Sequence, residues 1–351
     1  MDYKHAVVIG RFQPFHNDHL KVVERGLEIA ERVIVVIGSA NAAPSTRNPF
    51  NIKEREQMIY DSFPKEIHRR LVCVGVRDHY YNDQAWLADV QAKTDHFIED
   101  GQTVALLGSY KDSSSYYLKM FPQWEFVPVK TGDLNSTDIR EFLFDRIVLS
   151  DYEGTPTNTL SMDELHGKVP DYILGWLIGW TATSKLYPNL AKEWKYQREY
   201  KESWSDAPFT PTFVTADAVV VCAGHVLVIE RKINPGKGLY ALPGGFIRPN
   251  EFIIDAALRE LREETRLGAD IGSLKRYIAN SRVFDYPTRS ERGRTITHAF
   301  YLKIPDGRLP EVKGGDDAKR AFWMPLFEAF GSEDKFFEDH LHIIDSFVGA
   351  S

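Results

Sequence analysis

Apolar residues along this chain fall into short unbroken runs separated by longer amphipathic stretches. Residues 6–9, 33–37, 71–76 and 104–107 are runs of aliphatic side chains with the look of buried strands. Between them, residues 18–31, 53–62 and 84–94 carry apolar positions at helical spacing. Such β-α-β alternation predicts a parallel sheet with helices on both faces. A stretch rich in aromatics and charges, 187–204, reads as helical and breaks at Ala207-Pro208-Phe209-Thr210-Pro211. Beyond it the order changes. Strand-like runs at 212–221 and 225–231 precede a Gly-Gly turn, a charged helix, and further strand-like runs at 271–281 and 295–304. The pattern therefore predicts an α/β domain over 1–205, with its parallel sheet and a helical tail, and an α+β domain over 206–351.

Composition agrees with that division and narrows the chemistry. A chain of 351 residues suits two domains better than one core. With 26% charged and 43% hydrophobic residues it reads as globular. A net charge of −7 argues against a general nucleic-acid surface, although small nucleotides need only a few local Arg or Lys groups. The opening MDYKHAVVIG passes straight into an apolar run without a signal-peptide layout. The apolar stretch 172–180 is too short to span a bilayer, so no membrane partner is expected. Cys73 and Cys222 each sit inside strand-like segments, as buried thiols in a reducing compartment would. The expected location is the cytoplasm; the oligomeric state is left open.

Two segments carry candidate chemistry. In the first, the strand at 6–9 runs into Gly10-Arg11-Phe12-Gln13-Pro14-Phe15-His16-Asn17-Asp18-His19. A Gly-containing loop between a first strand and a helix is where open α/β sheets place ligands, and helix N-termini attract phosphate. His16 and His19 are spaced to donate to one anionic group. Asp18 is read mainly as the residue that caps the helix. Far downstream, Ser136-Thr137-Asp138-Ile139-Arg140 offers first-turn hydroxyls and a guanidinium one turn later.

In the second segment, Gly245-x5-Glu251-x7-Arg259-Glu260-Leu261-x-Glu263-Glu264 sets a glycine turn before a helix. Residues three and four apart share a helix face, so Glu260, Glu263 and Glu264 can converge. Acids that close call for a hard cation, Mg²⁺ or Mn²⁺, of the kind that supports cleavage of a phosphoanhydride. A helix lined with salt bridges is the plainer reading, and the number of fixed positions disfavours it.

The second segment resembles the Nudix box, G-x5-E-x7-R-E-U-x-E-E-x-G-U, with Arg266 standing where the box has its last glycine; a left-handed backbone is expected there. The first resembles the H-x-G-H signature of the nucleotidyltransferase superfamily, with Asp18 in place of glycine. The stretch at 136–140 resembles that superfamily's S-[ST]-x-x-R segment. With Arg47-Asn48-Pro49-Phe50, Glu54-Arg55, Asn82-Asp83-Gln84-Ala85-Trp86 and the segment from Gly108 to Leu118, nearly the whole chain resembles nicotinamide mononucleotide (NMN) adenylyltransferases fused to a Nudix hydrolase.

That resemblance implies a Rossmann-like nucleotidyltransferase domain followed by a Nudix domain, its mixed sheet sandwiched by helices. The first would make NAD and pyrophosphate from NMN and ATP, and the second would hydrolyse ADP-ribose to AMP and ribose 5-phosphate. His16, His19 and Arg140 would stabilise the ATP phosphates, and Ser136 and Thr137 would hold phosphate oxygens. Gly10, Arg11, Phe12, Arg47, Gly108 and Asp112 would complete the nucleotide sites, with Trp86 on the nicotinamide ring and Asn82 near its amide. Glu260, Glu263 and Glu264 would hold the metal, while Arg259 orients Glu251. Glu291 is a candidate general base, more readily read as a solvated loop charge. Open alternatives are another mononucleotide as acceptor, a different nucleoside diphosphate as second substrate, or a second domain that senses ADP-ribose without cleaving it.

Overall fold

The computed structural model describes residues 1–109, 113–145, 164–268, 271–305 and 307–349. They form two compact units, Met1–Trp194 and Lys195–Ser351.

In the first unit, β1 (Tyr3–Gly10), α1 (Asn17–Ile29), β2 (Ala30–Ile37), α2 (Ile52–Asp61), α3 (Lys65–His68), β3 (Leu71–Gly75), α4 (Asp83–Asp95) and β4 (Val104–Gly108) follow the alternation expected from the sequence. A four-residue strand β5 (Glu125–Pro128), α5 (Ser136–Asp145) and α6 (Asp171–Thr183) complete the series, and α7 (Tyr187–Glu202) begins in the first unit and ends in the second. The strands pair in parallel in the order β3-β2-β1-β4-β5. Alternate residues serve opposite cores: Ala6, Val8, Val33 and Val35 face one, Val7, Ile34 and Val36 the other. Burial of both faces explains why these strands read as unbroken apolar runs. Because the order reverses between β1 and β4, the carboxyl ends of these two strands open a crevice suited to a ligand.

The second unit contains β6 (Phe213–Cys222), β7 (His225–Arg231), β8 (Tyr240–Ala241), β9 (Gly244–Phe246), α8 (Ile253–Thr265), α9 (Ile271–Arg276), β10 (Ile278–Phe284), β11 (Thr295–Lys303), β12 (Ala318–Pro325), α10 (Leu326–Phe330) and α11 (His340–Val348). The sheet order is β10-β11-β6-β7-β12, with β8 on β7 and β9 on β6. It is mixed, since β11 and β6 run parallel while the other pairs are antiparallel. Ala223 (φ 45°) and Gly224 (φ 71°) turn β6 into β7 through a two-residue hairpin, which demands two left-handed residues. Part of the expected strand at 271–281 is instead the helix α9, and the strand begins at Ile278. Among the described residues no helix is long and apolar enough to cross a membrane.

Candidate active sites

At the β1–β4 crevice the loop after β1 is fixed by close packing. A Cβ on Gly10 would stand 2.9 Å from the Phe12 ring, and Phe12 itself adopts φ 53°. The Gln13 side chain clamps this loop to Phe50, donating to its carbonyl (2.8 Å) and accepting from its N–H (3.0 Å). Arg55, 1% exposed, donates to the carbonyls of Arg11 (2.9 Å), Gly38 (2.6 Å), Ser39 (3.1 Å) and Asn51 (3.3 Å). Burial pulls its pKa down to about 10, so it stays charged at neutral pH. It holds the backbone that presents the histidines.

His16, not Asp18, caps α1. The His19 N–H donates to His16 Nδ1 (3.4 Å) and the His16 N–H donates to His19 Nδ1 (3.3 Å), a capping box made of two imidazoles. The rings stack with centroids 3.6 Å apart, and Phe12 packs edge-on to His19 at 4.8 Å. Because both Nδ1 atoms accept, a neutral ring must carry its proton on Nε2. Asp18 is buried in the first turn, pairs with Lys21 (3.2 Å), and lines the cleft. The expected cap role is therefore corrected: an imidazole already satisfies the helix terminus.

At α5, Asn135 Oδ1 accepts from the Asp138 N–H (2.9 Å), so Asn135 serves as cap and Ser136 and Thr137 occupy the first turn. Ser136 Oγ donates to the Pro14 carbonyl (3.1 Å); Arg140 donates to the Gln13 carbonyl (2.7 Å) and to Thr137 Oγ1 (3.1 Å). These bonds join the two distant motifs in one cleft of about 410 Å³. It is lined by Gly10, Arg11, Phe12, His16, His19, Gly108, Ser136, Thr137 and Arg140 among others. Arg47, Asn82 and Trp86 are not among its lining residues. Asn82 caps α4 by accepting from the Ala85 N–H (3.0 Å), and Trp86 packs edge-on against Tyr117 and Phe121. Asp112 lies outside the described residues.

The second unit has a cavity of about 330 Å³ lined by Asp217, Gly244, Gly245, Arg259, Glu260, Glu263 and Glu264 among others. The glycines are dictated by contact. A Cβ on Gly244 would overlap the Asp217 carboxylate and stand 2.6 Å from the Ala216 carbonyl; one on Gly245 would meet Glu260 Oε1 at 2.6 Å. Arg259 grips both oxygens of Glu251 (2.7 and 2.9 Å) and also donates to Glu260 Oε1 (2.6 Å) and Glu263 Oε2 (3.0 Å). Its guanidinium holds the Glu251 carboxyl below the usual range. Glu264, 6% exposed, accepts from the Gly244 N–H (3.0 Å), and burial pushes its pKa up to about 8.

The expected convergence of Glu260, Glu263 and Glu264 on one point is not the arrangement seen. Among the described residues no three His, Cys, Asp or Glu side chains are grouped so as to hold a metal ion. Arg259 lies between Glu260 and Glu263 and supplies the compensating charge, while Glu264 turns to the Gly244 amide. The donor set still fits a hard divalent cation. It is all oxygen and it faces one cavity. Arg266 has the expected left-handed backbone (φ 49°, ψ 29°), and Lys313 and Gly315 N–H groups donate to the Thr265 and Glu264 carbonyls.

Glu291 does not line this cavity, whereas Glu338 does. Arg289 and Asp339 form a buried two-pronged pair (2.9 and 2.8 Å) beside it, and His340 Nδ1 accepts from the Leu242 N–H (3.0 Å). Burial lowers the His340 pKa to about 3, so this ring is neutral. Nothing in the sequence pairs position 289 with 339, which are fifty residues apart and carry no spacing motif.

A Cytidylyltransferase-like family model matches residues 7–142, and a NUDIX domain model matches residues 212–347. A nicotinamide/nicotinic acid mononucleotide adenylyltransferase of Acinetobacter baylyi is 38% identical over 157 residues, 44% of this chain and 83% of the relative. An ADP-ribose pyrophosphatase of Methanocaldococcus jannaschii is 36% identical over 135 residues, 38% of this chain and 72% of the relative. Among solved structures, a bifunctional NMN adenylyltransferase/ADP ribose pyrophosphatase from Francisella tularensis, complexed with AMP and a manganese ion, superposes with a TM-score of 0.88. It is 33% identical, and the match covers 98% of both chains.

Proposed function

The chain belongs to the family of bifunctional NMN adenylyltransferase/ADP-ribose pyrophosphatases, and from that premise we propose that it carries both activities. The 1–205 portion makes NAD and pyrophosphate from NMN and ATP. The 206–351 portion hydrolyses ADP-ribose to AMP and ribose 5-phosphate. The observation that carries the reading is the cleft in which two imidazoles and Arg140, distant in sequence, meet at the β1–β4 crevice.

The first reaction needs no protein nucleophile. An oxygen of the NMN phosphate attacks the α-phosphorus of ATP, the bond to the bridging oxygen breaks, and pyrophosphate leaves. His16 and His19 donate from Nε2, while Arg140 and the amino end of α5 neutralise the charge that gathers on the departing phosphates. Gln13 and Arg55 keep the loop in place. Trp86 and Asn82 are assigned to the nicotinamide ring and Arg47 to a phosphate, on family resemblance. The second reaction adds water across the diphosphate and breaks one P–O–P bond. A divalent cation, Mg²⁺ or Mn²⁺, held by Glu260, Glu263 and Glu264 would neutralise the diphosphate and lower the pKa of the attacking water. Arg259 keeps Glu251 in place and shares Glu260 and Glu263. The test is to incubate the purified chain with NMN and ATP, and separately with ADP-ribose and Mn²⁺. Formation of NAD and release of AMP support the assignment; absence of either product removes that half of it.

A further inference from the structure

Arg259 stands at the corner of the second unit's cavity where the carboxylates meet. One edge of its planar guanidinium, Nε and Nη2, grips both oxygens of Glu251 (2.7 and 2.9 Å), and Nη2 also donates to the Phe246 carbonyl (3.3 Å). The remaining nitrogen, Nη1, donates to Glu260 Oε1 (2.6 Å) and Glu263 Oε2 (3.0 Å) at once. One atom thus takes the position between the two carboxylates that a cation bridging them would need. The other oxygen of Glu263 faces a second guanidinium, that of Arg248 (3.6 Å). The Arg259 and Glu251 side chains are shielded, 15% and 14% exposed, whereas that of Glu263 is 38% exposed and has room to turn. A guanidinium stays charged at every working pH, so it cannot make way by losing a proton. Like charges a few ångströms apart in a part-buried site repel strongly, so Nη1 and a divalent cation compete for the same two carboxylates.

We propose that Arg259 is the resident counter-ion of the second site: a divalent cation loads by taking Glu260 and Glu263 from Nη1, while the guanidinium stays on Glu251. This rests on the metal-dependent reading above and adds to it a residue that opposes metal loading. The carboxylates are the parts that move, because Nε and Nη2 fix the plane of the guanidinium. Arg259 therefore lowers cation affinity at the same time as it keeps the acids together.

The test is an EPR titration of the full chain with Mn²⁺ in the absence of ADP-ribose, which reads loading and not turnover. Arg259→Gln removes the charge and keeps a donor; Arg259→Lys keeps the charge. Arg259→Gln should bind Mn²⁺ about tenfold more tightly than wild type, and Arg259→Lys within about threefold of it. By reciprocity, saturating Mn²⁺ should offset most of the urea resistance that Arg259→Gln loses in the chelator-treated chain. Equal or weaker Mn²⁺ binding by Arg259→Gln, the outcome for an arginine that only braces the fold, overturns the inference. If Arg259→Gln does not fold, ¹⁵N NMR of the wild-type arginine side chains under Mg²⁺ titration decides. The Arg259 Nη1 signal should shift while its Nε signal stays, and an unchanged Nη1 at saturation overturns the inference. Tighter Mn²⁺ binding by Arg259→Gln in a chain that cleaves no ADP-ribose removes the hydrolase reading and upholds this one. Mn²⁺ binding by neither chain overturns the inference together with the metal role.

Discussion

Replacing His19 by alanine removes one Nε2 donor and one half of the imidazole capping box. Groups that act on developing phosphate charge contribute chiefly to turnover, so NAD-forming kcat should fall by about 10²–10³-fold while the KM for ATP changes only a few-fold. Steady-state rates in NMN and ATP check this, and near-normal turnover would refute the role of His19. Arg266 allows a stability test that does not touch the chemistry. Its left-handed backbone costs an L-residue about 1–2 kcal/mol, whereas glycine brings about 0.5–1 kcal/mol of extra chain entropy to the unfolded state. Arg266→Gly should therefore stabilise the second domain by roughly 0.5–1 kcal/mol, read as a higher urea midpoint. A lower midpoint would mean that the arginine side chain contributes more than its backbone conformation costs.

At the scale of elements, adjacent glycines in β9 should fail in different ways. Alanine at 244 would press on the Asp217 carboxylate and on the Ala216 carbonyl, which is backbone of the central strand β6. Backbone yields poorly, so Gly244→Ala should destabilise the second domain by about 3 kcal/mol, measured by thermal or urea unfolding. The nearest atoms to an alanine Cβ at 245 all belong to the Glu260 carboxylate, the end of a flexible side chain. Gly245→Ala should keep the fold and lose ADP-ribose hydrolysis through a displaced Glu260. Strands β1 to β4 and the carboxylate helix were legible because their patterns are local: runs buried on two faces, and an amphipathic helix led by glycines. β5 escaped because four residues at a sheet edge carry little periodicity, and the 271–276 helix because six residues are too few to show a helical period and lie one residue before a strand. The His–His cap was hidden because imidazoles are not usual caps. The grip of Arg259 on Glu260 and Glu263 was hidden because spacing fixes which side chains share a face, not which partner neutralises them.

At the scale of the whole molecule, a chain of net charge −7 lines one cleft with Arg11, Arg140 and two histidines and a second cavity with Glu260, Glu263 and Glu264, the places proposed for one polyphosphate and for a metal with another. A chelator should abolish ADP-ribose hydrolysis, and added Mn²⁺ or Mg²⁺ should restore it, with release of AMP as the readout. Full recovery of AMP release without a divalent ion would remove the metal role given to Glu260, Glu263 and Glu264. The central claim is that each unit holds its own polyphosphate chemistry. The most direct test assays both reactions side by side on wild type, His19→Ala and Glu263→Gln. The account predicts that His19→Ala loses NAD synthesis and keeps AMP release from ADP-ribose, and that Glu263→Gln does the reverse. A single variant that abolishes both reactions while the chain stays folded, or a pair that abolishes neither, would contradict it.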